Sequence, residues 1–203
     1  MTTDEGSEFD SIWDEAKGYV DQGDYDRAID VYRYILVRYA DNLKAVEYAH
    51  AYLGDALLTS RQHLDQAETH LKKAISCAPG NHHYHYLLGF TYSVREQWAK
   101  ATRALKKALA LSPNNIEYER CLGWAMFNGE KETEGLDHLN SALELAPTDV
   151  HIMTDLGTAM LMLRDITMAR QYAEDALRID PTYDLAKRLA ETVERIERKL
   201  NSE

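Results

Sequence analysis

Pro79, Pro113, Pro147 and Pro181 stand 34 residues apart, three times over, and they are the only prolines in the chain. A fixed period of that length marks a repeat architecture, in which each unit is one supersecondary element that buries its apolar face only against its neighbours. Other residues fall in phase with it: Leu88-Gly89, Leu122-Gly123 and Leu156-Gly157, then Ala101 and Ala169, then Ala74, Ala108, Ala142 and Ala176. Small residues inside a helix let a neighbouring helix approach, and Leu and Tyr fill the space between. Proline lacks the N–H needed in mid-helix but suits a first helical turn, so each proline closes one unit and opens the next, with Asn81, Asn114 and Asp149 as N-cap candidates. The pattern predicts an all-α chain of stacked helix-turn-helix units.

The third unit reads His85-x2-Leu88-Gly89-x2-Tyr92, then Ala101-x3-Leu105-x2-Ala108-x4-Pro113. This resembles the tetratricopeptide repeat, whose unit reads W-x2-L-G-x2-Y, A-x3-F, P, with His85 in the tryptophan slot. The fourth unit carries Gly135 where the small alanine is expected, and the second has one extra residue around Ser60-Arg61-Gln62. The first is the weakest match, with Ala40 in place of the proline. The resemblance covers residues 9 to 181 and implies a right-handed superhelical solenoid of five repeats, at about 9–41, 42–80, 81–114, 115–148 and 149–181. Residues 182–203 form a capping helix and tail. In the cap, Leu185, Leu189, Val193, Ile196 and Leu200 recur at three- and four-residue spacing opposite a charged face.

A four-residue slip in register across Asn42 to Val46 is close to one helical turn, so the first helix of the second unit is predicted to project by a turn. Met1 to Glu8 is short, polar and acidic, which predicts a disordered start and not a signal peptide. No apolar run of about 18 residues is present to span a membrane. With 203 residues and 45% apolar content, the repeat reading predicts one elongated domain. Cys77 and Cys121 sit in different units and pair in no short motif, which favours a reducing, cytoplasmic setting. A formal charge of −11 argues against nucleic acid. The basic run Lys100, Arg103, Lys106 and Lys107 reads as a solvated helix face.

On the first helix of each unit a second face lies away from the packing face. By the resemblance, this face lines a concave groove for peptides. The groove would then carry Trp13, Tyr48, Tyr86, Phe90, Trp124 and Phe127, with Arg120 as a polar anchor, since aromatic and arginine side chains dominate interface anchors. Packing of the same rings into the core is the competing reading. Some family members clamp the carboxylate of chaperone tails with basic residues; here the matching slots hold Trp13, Lys17, Tyr52, His83 and Leu87, and only Lys17 is basic. An apolar or basic segment suits this groove better. His82, His83 and His85 lack metal-ligand spacing and companions, so no metal or cofactor is predicted. No phosphate loop, nucleophile elbow or catalytic set is present, so no enzyme is predicted. The sequence therefore reads as a non-catalytic protein-interaction module, adaptor or chaperone-like, with a self-assembling homo-oligomeric scaffold as the alternative. Its partner is another protein or peptide, or a second copy of the chain.

Overall fold

Aspartate and asparagine start six of the eleven described helices. In the computed structural model, which describes residues 3–61 and 63–200 with side chains from Ser7 onward, side-chain oxygens of Asp24, Asn42, Asn81, Asn115, Asp149 and Asp165 accept backbone N–H groups of the first helical turns. The described residues hold eleven helices: α1 (Thr3–Asp21), α2 (Tyr25–Arg38), α3 (Leu43–Thr59), α4 (Leu64–Cys77), α5 (His82–Val94), α6 (Trp98–Leu111), α7 (Ile116–Asn128), α8 (Glu132–Leu145), α9 (Val150–Met162), α10 (Ile166–Ile179) and α11 (Asp184–Leu200). They form five antiparallel pairs and a final single helix. Asn115 caps α7, whereas the neighbouring Asn114 takes the left-handed conformation (φ 64°) in the turn before it. The helix begins one residue later than the sequence suggested.

α5, α7 and α9 each have 13 residues and α3 has 17. The additional turn lies ahead of Gly54, on the N-terminal side of α3, as the register slip predicts. α1 starts at Thr3, so residues 3–8, predicted as disordered, are helical; Met1 and Thr2 lie outside the described residues, as does Gln62 in the turn with the extra residue.

The helices gather into two compact units, Met1–Ser112 and Pro113–Glu203. Elements of a repeat array contact mainly their sequence neighbours, so each unit is described by its own core. In the first unit Tyr32, Ile35, Leu53, Leu57, Leu71 and Leu105 are fully buried; in the second, Leu122, Met126, Leu139, Ile152, Leu156 and Val193 are.

Close helix approach explains the glycines. A Cβ on Gly89 would sit 2.6 Å from the Leu105 side chain, so the leucine of the second helix occupies the room the glycine leaves. Gly135 stands where other repeats carry alanine because α7 and α8 meet backbone to backbone: its Cβ would lie 2.4 Å from the amide nitrogen of Phe127 and 2.7 Å from the carbonyl oxygen of Gly123. α11 closes the second unit with Ala186, Leu189 and Val193, and Leu189 and Val193 pack on Ala169 and Ala173. Leu185 and Leu200, predicted on the packed face of the cap, are exposed at 51% and 61%.

Candidate interaction surface

In the first unit, α1, α3 and α5 line three clefts that share walls. One holds Lys17, Val20 and Tyr25 with Tyr52 and Asp55; a second holds Tyr48, Tyr52 and Asp55 with His83; a third holds Asp55, Leu58 and Arg61 with Tyr86, Phe90 and Val94. Asp55 lines all three. Aromatic contacts run along this trough. Trp13 meets Tyr52 edge-on at 5.0 Å and Tyr48 at 6.2 Å, and it stacks on Phe9 at 5.8 Å. His83 stacks on Tyr86 at 5.8 Å, and Tyr86 on Phe90 at 6.1 Å. Trp13, Tyr86 and Phe90 are half-buried, while Tyr48 and Tyr52 are exposed at 39% and 43%. Four predicted groove residues therefore fall on one side of the unit, and Trp13 doubles as a packing residue within 5.6 Å of buried Tyr32.

Two polar groups in this trough are short of partners. Burial raises the Asp55 carboxyl above the ordinary range, and the only opposing influence is His83; among the described residues no cation pairs with it. The Tyr32 hydroxyl is buried and has no hydrogen-bond partner among the described residues. Burial, with Tyr52, Asp55 and Asp21 nearby, pushes it up to about 12. Tyr32 and Asp55 line the same cleft, and unpaired buried polar groups are rare enough in folded proteins to call for a reason.

The second unit uses the corresponding positions differently. The Arg120 guanidinium donates to Asp155 of α9 at 2.5 Å and to Glu117 at 2.8 and 3.0 Å. Burial works against its charge, but the Glu117 hydrogen bond and the Asp155 and Glu117 carboxylates outweigh it and raise its pKa. Burial raises Asp155, with Arg120 pulling it down, and burial pushes the Cys121 thiol up. Arg120 is consumed inside the protein rather than held out as an anchor. Phe127 is buried at 4% exposure. It lies four residues beyond Gly123, which is only about 40° round the helix from the packing face at 3.6 residues per turn. Trp124 stacks on it at 6.1 Å and is half-buried. Tyr52, named in the sequence only as a clamp slot, joins the aromatic trough: it lies two residues ahead of Gly54, at a slot about 160° from the glycine by the same geometry.

His85 bonds the Pro79 carbonyl oxygen at 2.9 Å, and no described group of three His, Cys, Asp or Glu side chains is placed to hold a metal ion. No described helix is long and apolar enough to cross a membrane.

Tetratricopeptide repeat models match residues 14–82 and 82–115. No curated protein matches the chain. Similar solved structures include TTC0263, a thermophilic tetratricopeptide repeat protein of Thermus thermophilus, with a TM-score of 0.72, 18% identity, and 90% of this chain and 97% of that one covered. Another is YrrB, described as a tetratricopeptide repeat protein with an unusual peptide-binding site, with a TM-score of 0.64, 21% identity, and coverage of 85% and 87%. A third is the APC/C hetero-tetramer Cut9-Hcn1, with a TM-score of 0.71 and 18% identity over 88% of this chain, which spans only 34% of the length of that one. The phased prolines and glycines, the helix pairs they delimit and these matches lead to one conclusion: the chain belongs to the tetratricopeptide repeat family, an all-α family of protein-interaction modules.

Proposed function

We propose that the chain is a non-catalytic adaptor that takes an extended peptide segment in the trough of α1, α3 and α5, and that the segment presents apolar side chains flanking one lysine or arginine. The observation that carries this reading is Asp55, a half-buried carboxyl that makes no ion pair among the described residues, lining three adjoining aromatic clefts whose rims carry Lys17 and Arg61. A ligand cation there gains a charge partner in a partly desolvated site and aromatic faces beside it. Apolar side chains would cover Tyr52, Tyr86 and Phe90. The similar YrrB, a repeat protein with a peptide-binding site, supports a peptide as the ligand class. The two free cysteines, Cys77 and Cys121, suit a cytoplasmic protein.

The test is fluorescence anisotropy with pooled short peptides of Leu, Phe and Ala carrying one central lysine, against the same pool with norleucine there. The lysine pool binds more tightly, and Asp55→Asn removes about tenfold of that preference, the equivalent of about 1.4 kcal/mol. Equal binding of both pools, or an unchanged preference in Asp55→Asn, overturns the reading. Light scattering that shows concentration-dependent assembly, abolished by Phe90→Ala, would assign the trough to a second copy of the chain instead.

A further inference from the structure

A second groove lies on a different face of α5, between α4 and α6. Its floor is apolar, made by Ile75, Leu88, Ala104 and the Tyr92 ring, and its rim carries Lys72, Lys100, Arg103 and Lys107; no carboxylate lines it. In a chain of 34 acidic and 23 basic residues, that local balance runs against the whole. Lys72 is paired with Glu68 at 2.7 Å, so its charge is spent. The Lys100 ammonium lies 5.4 Å over the Tyr92 ring and donates to Gln97. Arg103 and Lys107 are exposed, and among the described residues no carboxylate pairs with them. Lys100, Arg103 and Lys107 follow i, i+3, i+7 spacing, so they form one row along α6 with steps of about 5–6 Å, close to the spacing of every second residue in an extended strand, about 6.5 Å.

We propose that this groove binds an acidic segment of a protein partner, extended, with Asp or Glu at alternate positions facing the α6 row and an apolar side chain resting on Leu88 and Tyr92. The apolar floor favours a peptide over a nucleic acid, whose sugar-phosphate chain offers little to cover it. The charge of −11 repels a long polyanion, whereas a short segment senses mainly the charges within a Debye length of about 8–10 Å. The site does not depend on the trough: it uses His85, Leu88 and Tyr92 of α5, while the trough uses His83, Tyr86 and Phe90.

Anisotropy titrations of the full chain with a pool of short peptides alternating Glu or Asp with Leu, Ile or Phe test it, with a pool in which Lys and Arg replace the acids as control. The acidic pool binds and weakens with added salt. The double variant Arg103→Glu, Lys107→Glu lowers its affinity at least about tenfold without lowering the melting temperature, and the milder Arg103→Gln lowers it less. Phe90→Ala leaves it unchanged. Failure of the acidic pool to bind, or undiminished binding by both variants, overturns the proposal. So does loss of binding in Phe90→Ala, which would move the site to the trough, and so does displacement of the peptides by lower concentrations of oligo-dT, which would make the groove a nucleic-acid site.

Discussion

Tyr86 and Arg120 occupy the same slot, three residues ahead of Gly89 and Gly123, yet they do opposite things. In the first unit Tyr86 stacks between His83 and Phe90 and walls an open cleft beside an unpaired Asp55. In the second, Arg120 is drawn into Glu117 and Asp155, and a buried Phe127 sits next to the packing face. One helix face can serve ligands or the fold. Which it serves depends on whether a countercharge closes on it: α9 presents Asp155 to Arg120, whereas Asp55 makes no ion pair among the described residues, although Lys17 and Arg61 line the clefts beside it.

The largest effect expected from this contrast concerns the closing helix. Removing residues 182–203 uncovers the surface that Leu189 and Val193 cover on Ala169 and Ala173. The truncated chain should lose helical signal and aggregate on heating, while peptide capture by the trough of the first unit persists. If the truncated chain melts at the same temperature and stays monomeric, α11 is no cap.

Gly135→Ala probes the packing of the second unit more finely. The added methyl meets backbone atoms of α7, which cannot swing aside as a side-chain end can, so a loss of about 1–3 kcal/mol is expected. Unchanged denaturant midpoints would mean that α7 and α8 separate without cost. The matching exchange in the other direction, Ala101→Gly in the first unit, should cost less, about 1 kcal/mol.

Much of this was readable from the sequence alone. The proline period sets where α4, α6, α8 and α10 end, and the slip after Asn42 foretells the long α3. What was not readable came down to small angles and distant partners. Phe127 and Trp124 turn about 40° and 100° from Gly123, and only the packed structure shows that Phe127 is sealed while Trp124 is half-buried. Leu185 and Leu200 share the spacing of Leu189 and Val193, yet Ala186 takes the packed position. The Arg120–Asp155 pair spans 35 residues, one more than the proline period; opposite charges at that separation on successive first helices are the signal that would have revealed it.

A smaller effect separates the units by pH. Burial, with His70 and Lys73 nearby, lowers His50 of α3 from 6.5 to about 4, and its ring nitrogen lies 2.9 Å from that of His70 in α4. Between those two pH values the unfolded chain binds a proton that the folded chain refuses. The contribution is therefore complete above pH 6.5 and is lost as pH falls toward 4, by at most about 1.4 kcal/mol per pH unit. Wild type should lose stability over this range faster than His50→Gln, whose slope isolates the histidine from the titrating carboxylates. Parallel slopes would show that His50 protonates freely in the fold.

The division between a binding face and a structural face is tested most directly by measuring melting temperature and lysine-peptide affinity together on Phe90→Ala and Arg120→Ala. Phe90→Ala should melt close to wild type and bind at least about tenfold more weakly, in the range of an interface anchor of about 2 kcal/mol. Arg120→Ala should leave Asp155 without its cation, lose about 3 kcal/mol of stability, and retain peptide affinity in the folded fraction. The opposite result, a Phe90→Ala variant that unfolds early and an Arg120→Ala variant that melts normally but no longer binds, would contradict the account.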